Sequence, residues 1–218
     1  MAERPVWQSG VTLAAIAAVC AALVALTWQL TEERIEANRT AWLERSLEPA
    51  LAGVFFDSEV TESVLIIPPP HELPGKEPAV VYRVYAADAP VAALFVVTAR
   101  DGYAGPIRLL IGVGMDGSVT GVRVLEHRET PGLGDRIDIT KSDWVLQFDG
   151  HSLRAPSADG WAIRGDGGEF DQLTGASVTP RAVIKAIRTT LLYFEANTDA
   201  LFAPVQPPIE ATSEAEAT

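Results

Sequence analysis

Two stretches of the chain carry residue types that could do chemistry. The first is Asp171-Gln172-Leu173-Thr174-Gly175-Ala176-Ser177-Val178-Thr179-Pro180, a crowd of small and hydroxyl residues directly before the helical run Arg181 to Asn197. Thr179 reads as an N-cap and Pro180 as the first helical residue, where a missing N–H costs nothing. Unpaired N–H groups and the helix dipole at such a terminus favour an anion. Ser177 lies two residues upstream, beside Gly175 and Ala176, which lack the bulk to keep a large group on its hydroxyl away from the backbone. On residue types alone an ordinary capped loop is the commoner reading. The second stretch is His127-Arg128-Glu129-Thr130-Pro131-Gly132-Leu133-Gly134-Asp135. Glycines on both sides of Leu133 permit unusual backbone angles and let a flat ligand approach the main chain, although a Pro-Gly turn closing a strand is again the simpler reading.

Composition narrows the partners. The chain has 218 residues and a formal charge of −12, enough length for one ordinary domain with appendages and the wrong sign for nucleic acid or anionic lipid around its soluble part. One cysteine, Cys20, excludes an internal disulfide, a cysteine-ligated zinc site or a cysteine-held iron–sulfur cluster within the chain. His71, His127 and His151 are too scattered for a metal-ligand pattern, so no metal and no hydrolytic triad or paired-carboxylate site is expected, and no glycine fingerprint for a dinucleotide is present.

The elements that must position these stretches follow in order. Val11 to Leu30 is an uncharged apolar run of bilayer-spanning length, with Trp7 and Trp28 placed for the two interfaces, and it reads as a membrane anchor. A cleaved signal is the competing reading, but Glu32-Glu33-Arg34 offers no small-residue cleavage site. Positive residues flank both ends, Arg4 before and Arg34, Arg39 and Arg45 after, a count of limited force because long soluble domains are translocated largely regardless of charge. Ile35, Trp42, Leu43, Leu47 and Leu51 continue the helix as an amphipathic stalk, and Pro49 marks its kink or end. Ser63 to Ile67, Ala79 to Ala87, Val91 to Ala99, Ile107 to Val113 and Val119 to Glu126 read as strands of an antiparallel sheet, the last two joined by a hairpin at Asp116-Gly117 and half buried on one face. In the terminal helix, Val183, Ile184, Ile187, Leu191 and Phe194 form one apolar stripe and pack on the sheet, while Lys185, Arg188 and Thr189 point elsewhere. The expected organisation is α+β: an N-terminal segment and transmembrane helix over 1–31, a helical stalk over 32–60, an antiparallel-sheet domain packed with helices over 61–197, and a disordered tail over 198–218.

Asp171-x-x-Thr174-Gly175-Ala176-Ser177 resembles a flavinylation motif, in which a flavin transferase esterifies the phosphate of FMN to the last hydroxyl; that position is usually Thr and here is Ser177. Glu-Thr-Pro-Gly-Leu-Gly at 129–134, after Gly102-Tyr103-x-Gly105 and an x-Gly hairpin, with Trp144 and Phe148 downstream, resembles the FMN-binding domain of the G subunit of Rnf-type electron transport complexes and of the related C subunit of the sodium-pumping NADH:quinone reductase. Asp135 after the loop favours the Rnf-type subunit. The likeness runs from about Tyr82 to Phe194, with anchor and stalk in place.

The resemblance implies covalent FMN on Ser177 through a phosphoester. Thr174, Gly175 and Ala176 would hold the phosphate, Glu129, Thr130, Gly132 and Leu133 would line the isoalloxazine, and Asp171 would serve transferase recognition. Thr179 is the second-choice acceptor. Trp144 is the better candidate for contact with the ring, and Trp161 reads as structural. Asp166, Glu169 and Asp171 read as a solvated acidic face, which on an exported domain would orient a redox partner by charge. The implied function is electron relay between ferredoxin and NAD pools in a complex that moves ions, with integral membrane and iron–sulfur subunits as partners. The implied place is the bacterial inner membrane, single-pass, with the C-terminal domain on the periplasmic side. Two other readings compete: an anchored assembly or ligand-binding module without flavin, and a stand-alone flavin reductase.

Overall fold

A computed structural model describes residues 6–57 and 59–203 of the chain, which divides into two compact units, Met1–Arg45 and Ser46–Thr218. Arg4, used above for orientation, and most of the expected tail lie outside the described residues.

The first unit is built from helix α1, Val6–Leu47. Its 42 residues would extend about 63 Å at 1.5 Å per residue, roughly twice the thickness of a hydrocarbon core. It is the one helix among the described residues long and apolar enough to cross a membrane. Val11, Leu13, Ile16, Val19, Leu23 and Val24 are all exposed, and such an apolar surface fits lipid as its solvent. The hydroxyls of Thr27 and Thr31 donate back to the carbonyls of Leu23 and Thr27, 2.8 Å each, which satisfies polar groups inside an apolar run.

Strands β1 (Val64–Ile67), β2 (Ala79–Ala86), β3 (Ala89–Ala99), β4 (Ile107–Gly114) and β5 (Val119–Glu126) form a five-stranded sheet in sequence order, every neighbour antiparallel. The α+β expectation holds, and the strands stand within two residues of where β-branched runs and turn residues placed them. Asp116-Gly117 turns the β4–β5 hairpin: Gly117 has φ 80° and the Asp116 carboxylate accepts from the Ser118 amide and hydroxyl, contacts that hold its carboxyl below the usual aspartate range.

Alternation along the strands sends Phe95, Ile111 and Val122 to one face and their neighbours Leu94, Gly112 and Gly121 to the other. Helix α2, Val178–Leu201, covers the first face with the predicted stripe: Val183, Ile184, Ile187, Leu191 and Phe194 are buried, and Phe194 meets Phe95 edge-on at 6.2 Å between centroids. Lys185 stays exposed.

The second face is half buried, as expected: Thr98, Arg108 and Arg123 on it keep partial exposure. Leu94, Leu110 and Val96 on it are buried. Over β4 and β5 the cover is the 3-10 turn Glu48–Leu51 that follows α1, carrying Pro49 and the buried Ala50 and Leu51. It lands on a notch made by the cross-strand pair Gly112 and Gly121: a Cβ on Gly112 would collide with the Thr120 hydroxyl and the Ala50 carbonyl oxygen, and one on Gly121 would lie 2.9 Å from Ala50 Cα. The Thr120 hydroxyl donates to the Ala50 carbonyl at 2.6 Å, and Arg123 donates to that of Pro49 at 2.8 Å. We expect Gly112→Ala and Gly121→Ala each to lower stability by about 1–3 kcal/mol, the usual cost of overpacking. Urea unfolding of the full chain in detergent, followed by tryptophan fluorescence, checks this; unchanged midpoints would mean that the turn does not occupy the notch.

Candidate functional site

Between β5 and α2 the chain runs through short 3-10 turns, among them Gly134–Ile137 and Asp143–Phe148, over an aromatic layer. Trp144 meets Phe148, Phe148 meets Phe170, and Phe170 meets Trp161, with centroids 5.2, 4.8 and 4.9 Å apart. Each indole also has a polar task. Trp161 Nε1 donates to the Ser152 carbonyl at 3.1 Å, in keeping with a structural role. Trp144 Nε1 donates to the Asp171 carbonyl at 2.6 Å, and the Gln147 side-chain oxygen accepts from the Asp171 amide at 2.6 Å. Trp144 is thus buried beneath the first residue of the 171–177 stretch and grips its backbone.

Two of the acidic side chains here, Asp171 and Asp166, are paired. Asp171 lies 2.9 Å from Arg164, both well exposed. Asp166 takes two hydrogen bonds from Arg181 on α2, at 2.6 and 2.8 Å, and this guanidinium holds the Asp166 carboxyl below its usual range. Together these contacts tie the loop before the stretch to the start of the helix after it. Exposed pairs of this kind contribute little stability, so their effect is to set direction. An open cleft of about 730 Å3 runs alongside, lined by Arg136, Trp144, Gln147, Arg164, Asp171 and Leu173.

Two tight turns face each other at the centre. In Thr130-Pro131-Gly132-Leu133 the Leu133 amide donates to the Thr130 carbonyl at 3.1 Å, with Gly132 at φ 78°. In Leu173-Thr174-Gly175-Ala176 the Ala176 amide donates to the Leu173 carbonyl at 3.0 Å, with Gly175 at φ 82°. Glycine in the third place is what such a turn requires when φ is positive. The turns touch: a Cβ on Gly175 would lie 3.0 Å from Leu133 Cδ2, while one on Gly132 would meet open space. Leu133 remains 41% exposed. The structure therefore brings Leu133 of the first turn beside Gly175 of the second, across about forty residues of sequence.

The start of α2 differs from the expectation. The helix begins at Val178 with Ser177 as its N-cap residue, and Thr179 is its second residue. Pro180 falls at the third position, still within the first turn, where no N–H is needed. Thr179 does not cap: its side chain is 0% exposed and its hydroxyl donates to Glu129 Oε2. Glu129 is 4% exposed, and its Oε1 accepts from the Ala104 amide at 3.0 Å. Its carboxyl group therefore points inward, behind the loop. Gly134, expected to be needed for its backbone angles, is needed for its missing side chain, since a Cβ there would lie 2.7 Å from Glu129 Oε2. Sequence reading missed the Thr179–Glu129 link, and nothing local signals a contact between residues fifty positions apart.

Ser177 itself is exposed, and its hydroxyl caps no helix amide. These residues fit a phosphate-bearing planar group: an uncommitted hydroxyl at the N-terminus of a 24-residue helix, two glycine turns beside it, and an exposed leucine on the facing loop. Gly175→Ala and Gly117→Ala both force a positive φ on alanine, at about 1–2 kcal/mol. Only the first also pushes on Leu133, so we expect it to cost more in urea unfolding; equal losses would mean that the two turns do not press together.

Residues 102–192 match the model of the FMN-binding domain, and residues 1–49 match that of the RnfG N-terminal region. The G subunit of an ion-translocating oxidoreductase complex from Pseudoalteromonas atlantica is 41% identical over 90% of this chain and 91% of its own length. Proteins of the same name from Shewanella loihica and Pseudomonas aeruginosa are 41% and 44% identical, over 91% and 93% of this chain and 94% of their own lengths in both cases. With both family models in place and likeness of this depth along nearly the whole sequence, the chain belongs to the family of G subunits of ion-translocating oxidoreductase complexes.

Proposed function

We propose that the chain is the electron-relay subunit of a membrane-bound Rnf-type complex and carries FMN bonded through its phosphate to Ser177. The observation that carries this reading is the contrast between two hydroxyls two residues apart: that of Ser177 is exposed and caps nothing, and that of Thr179 is buried and bonded to Glu129. Only the first is placed to meet an incoming phosphate.

Ser177 Oγ would bond to the flavin-side phosphorus of a flavin dinucleotide as its pyrophosphate link breaks; the nucleoside monophosphate would leave, and the hydroxyl proton would pass to a base of the flavin transferase. Asp171, held at the rim by Trp144, Gln147 and Arg164, is the residue this enzyme recognises, beside the metal ion that accompanies a pyrophosphate. Once the bond has formed, the backbone at Thr174, Gly175 and Ala176 and the first turn of α2 hold the phosphate charge. Thr130, Gly132 and Leu133 line the ring, with Glu129 setting their position from behind. The bound cofactor supplies the capacity to accept and pass on electrons, and the protein supplies position and electrostatics. A covalent tether suits a domain on the periplasmic side, away from the compartment in which free FMN is made.

Helix α1 anchors the subunit among integral membrane and iron–sulfur partners. Ala14, Ala15, Ala17, Ala18, Ala21 and Ala22 permit close helix contact where lipid offers no hydrophobic drive. Electrons pass between ferredoxin and NAD pools while other subunits move the ions.

Intact mass of the full chain coexpressed with its transferase tests the reading. We expect the mass of one bound FMN on the peptide containing Ser177, its loss in Ser177→Ala, and its return in Ser177→Thr. A bare peptide in properly matured protein removes the relay and leaves an anchored assembly module.

A further inference from the structure

We propose that Glu129 is a positioning residue: its carboxyl group is a buried clamp that joins the Gly102–Gly105 turn and the first turn of α2, and so fixes the Thr130–Leu133 turn relative to Ser177. The part of this inference that concerns flavin rests on the reading of Ser177 given above; the clamp itself does not.

The geometry is specific to that group. One oxygen accepts from the Ala104 amide, 25 residues before it, and the other from the Thr179 hydroxyl, 50 residues after it. The Glu129 amide donates to Nδ1 of His127 at 3.1 Å, which fixes the backbone from which the side chain departs. Glycine stands on both sides of the carboxyl group, Gly134 because a side chain there would strike it and Gly102 first because a Cβ would strike the Gly105 carbonyl oxygen of its own turn. A Cβ on Gly102 would lie 3.0 Å from Oε1, and one on Gly134 2.7 Å from Oε2 and 2.9 Å from the Thr179 hydroxyl oxygen. Two backbone segments have given up side chains at the two ends of one buried acceptor.

The next residue, Thr130, carries the turn. Its carbonyl accepts from the amides of Leu133 at 3.1 Å and Asp135 at 3.4 Å. Fixing Glu129 therefore fixes the first residue of the loop that presents Leu133. Thr179 is two residues from Ser177, the N-cap residue of its helix, so the second oxygen fixes the acceptor hydroxyl's support. Loop and acceptor are held by one group that touches neither the phosphate nor the ring.

Amide hydrogen exchange on the full chain in detergent, expressed without the transferase, tests the clamp directly. Thr179→Val is the decisive variant, because it removes one donor and leaves Glu129 Oε1, the acceptor of the Ala104 amide, in place. We expect the amides of Ala104, Leu133 and Asp135 to exchange about tenfold faster or more in Thr179→Val and Glu129→Ala, and within about threefold of the parent rate in Thr179→Ser and Glu129→Gln, which keep a donor and an acceptor where they are needed. Parent-like exchange at Ala104 in Thr179→Val overturns the clamp, and this result stands even if Glu129→Ala fails to fold.

In protein matured with the transferase, we expect lower flavin fluorescence anisotropy in Thr179→Val than in the parent at the same added mass. Equal anisotropy overturns the positioning role. A parent chain with no added mass instead removes the attachment reading and leaves the exchange test intact.

Discussion

An oxygen enclosed by a fold has to find its donor there, because leaving a buried acceptor unpaired costs about 1–3 kcal/mol. Glu129 places two such oxygens under the surface, and the donors that meet them come from a turn before β4 and from the start of α2. Neither donor belongs to a neighbouring stretch of chain. The requirement to satisfy one carboxyl group thus reaches across the whole sheet domain, and it explains residues that otherwise look unrelated. Gly102 and Gly134 leave room, Thr179 is threonine at a helix position where its hydroxyl faces inward, and Pro180 follows it in the first turn where a missing N–H is harmless.

That arrangement would fail on a mobile platform. Helix α2 is held by an apolar stripe on β3 and β4, and over β4 and β5 the sheet is in turn covered on its other face by the turn that follows α1. Burial on both faces makes β4 read as a nearly continuous run of apolar and glycine residues, Ile107 to Gly114, with only Arg108 less than fully buried. Such strands are usual in sheets with two covered faces. The glycine notch under Ala50 belongs to the same design: close packing leaves no slack there, so small displacements at the edge of the domain are resisted and not absorbed. Rigidity is what a site made from two facing turns needs if its geometry is to stay within tenths of an ångström.

Much of this was legible in the sequence. Periodicity placed the long apolar helix, the five strands and the stripe of α2, because each is decided by local alternation of apolar and polar side chains. The two chemical stretches were legible through glycine, proline and hydroxyl residues at fixed offsets, and the structure sets their turns face to face. What could not be read were relations between distant residues. The Thr179 hydroxyl has a local use as a cap and a distant one as a donor to Glu129, and local reasoning chose the cap. The donation of the Trp144 indole N–H to the Asp171 carbonyl, 27 residues on, is another relation that only the folded chain reveals. Asp166 and Asp171 read as a solvated acidic face, and their arginine partners lie 15 and 7 residues away on either side of the turn, a pairing that depends on how the loop folds back. The second cover of the sheet was illegible for the same reason: Leu51 read as the last member of the stalk stripe, and nothing local shows that it and Ala50 turn onto the sheet.

The separation of roles between Ser177 and Thr179 follows from helix geometry. Successive residues turn by about 100°, so two residues at a helix start point about 200° apart, nearly opposite ways. Ser177 already has helical backbone angles, φ −88° and ψ −22°, which brings it within reach of this rule. If Thr179 faces the core, Ser177 must face solvent, and the apolar stripe on α2 decides which way the whole helix is turned. Val183 and Leu191 therefore contribute to the exposure of a hydroxyl they do not touch, by burying the face on which Thr179 lies. A hydroxyl at residue 178 would satisfy neither demand, being turned about 100° from both. The spacing of the two hydroxyls is thus set by the same rotation that packs the helix on its sheet.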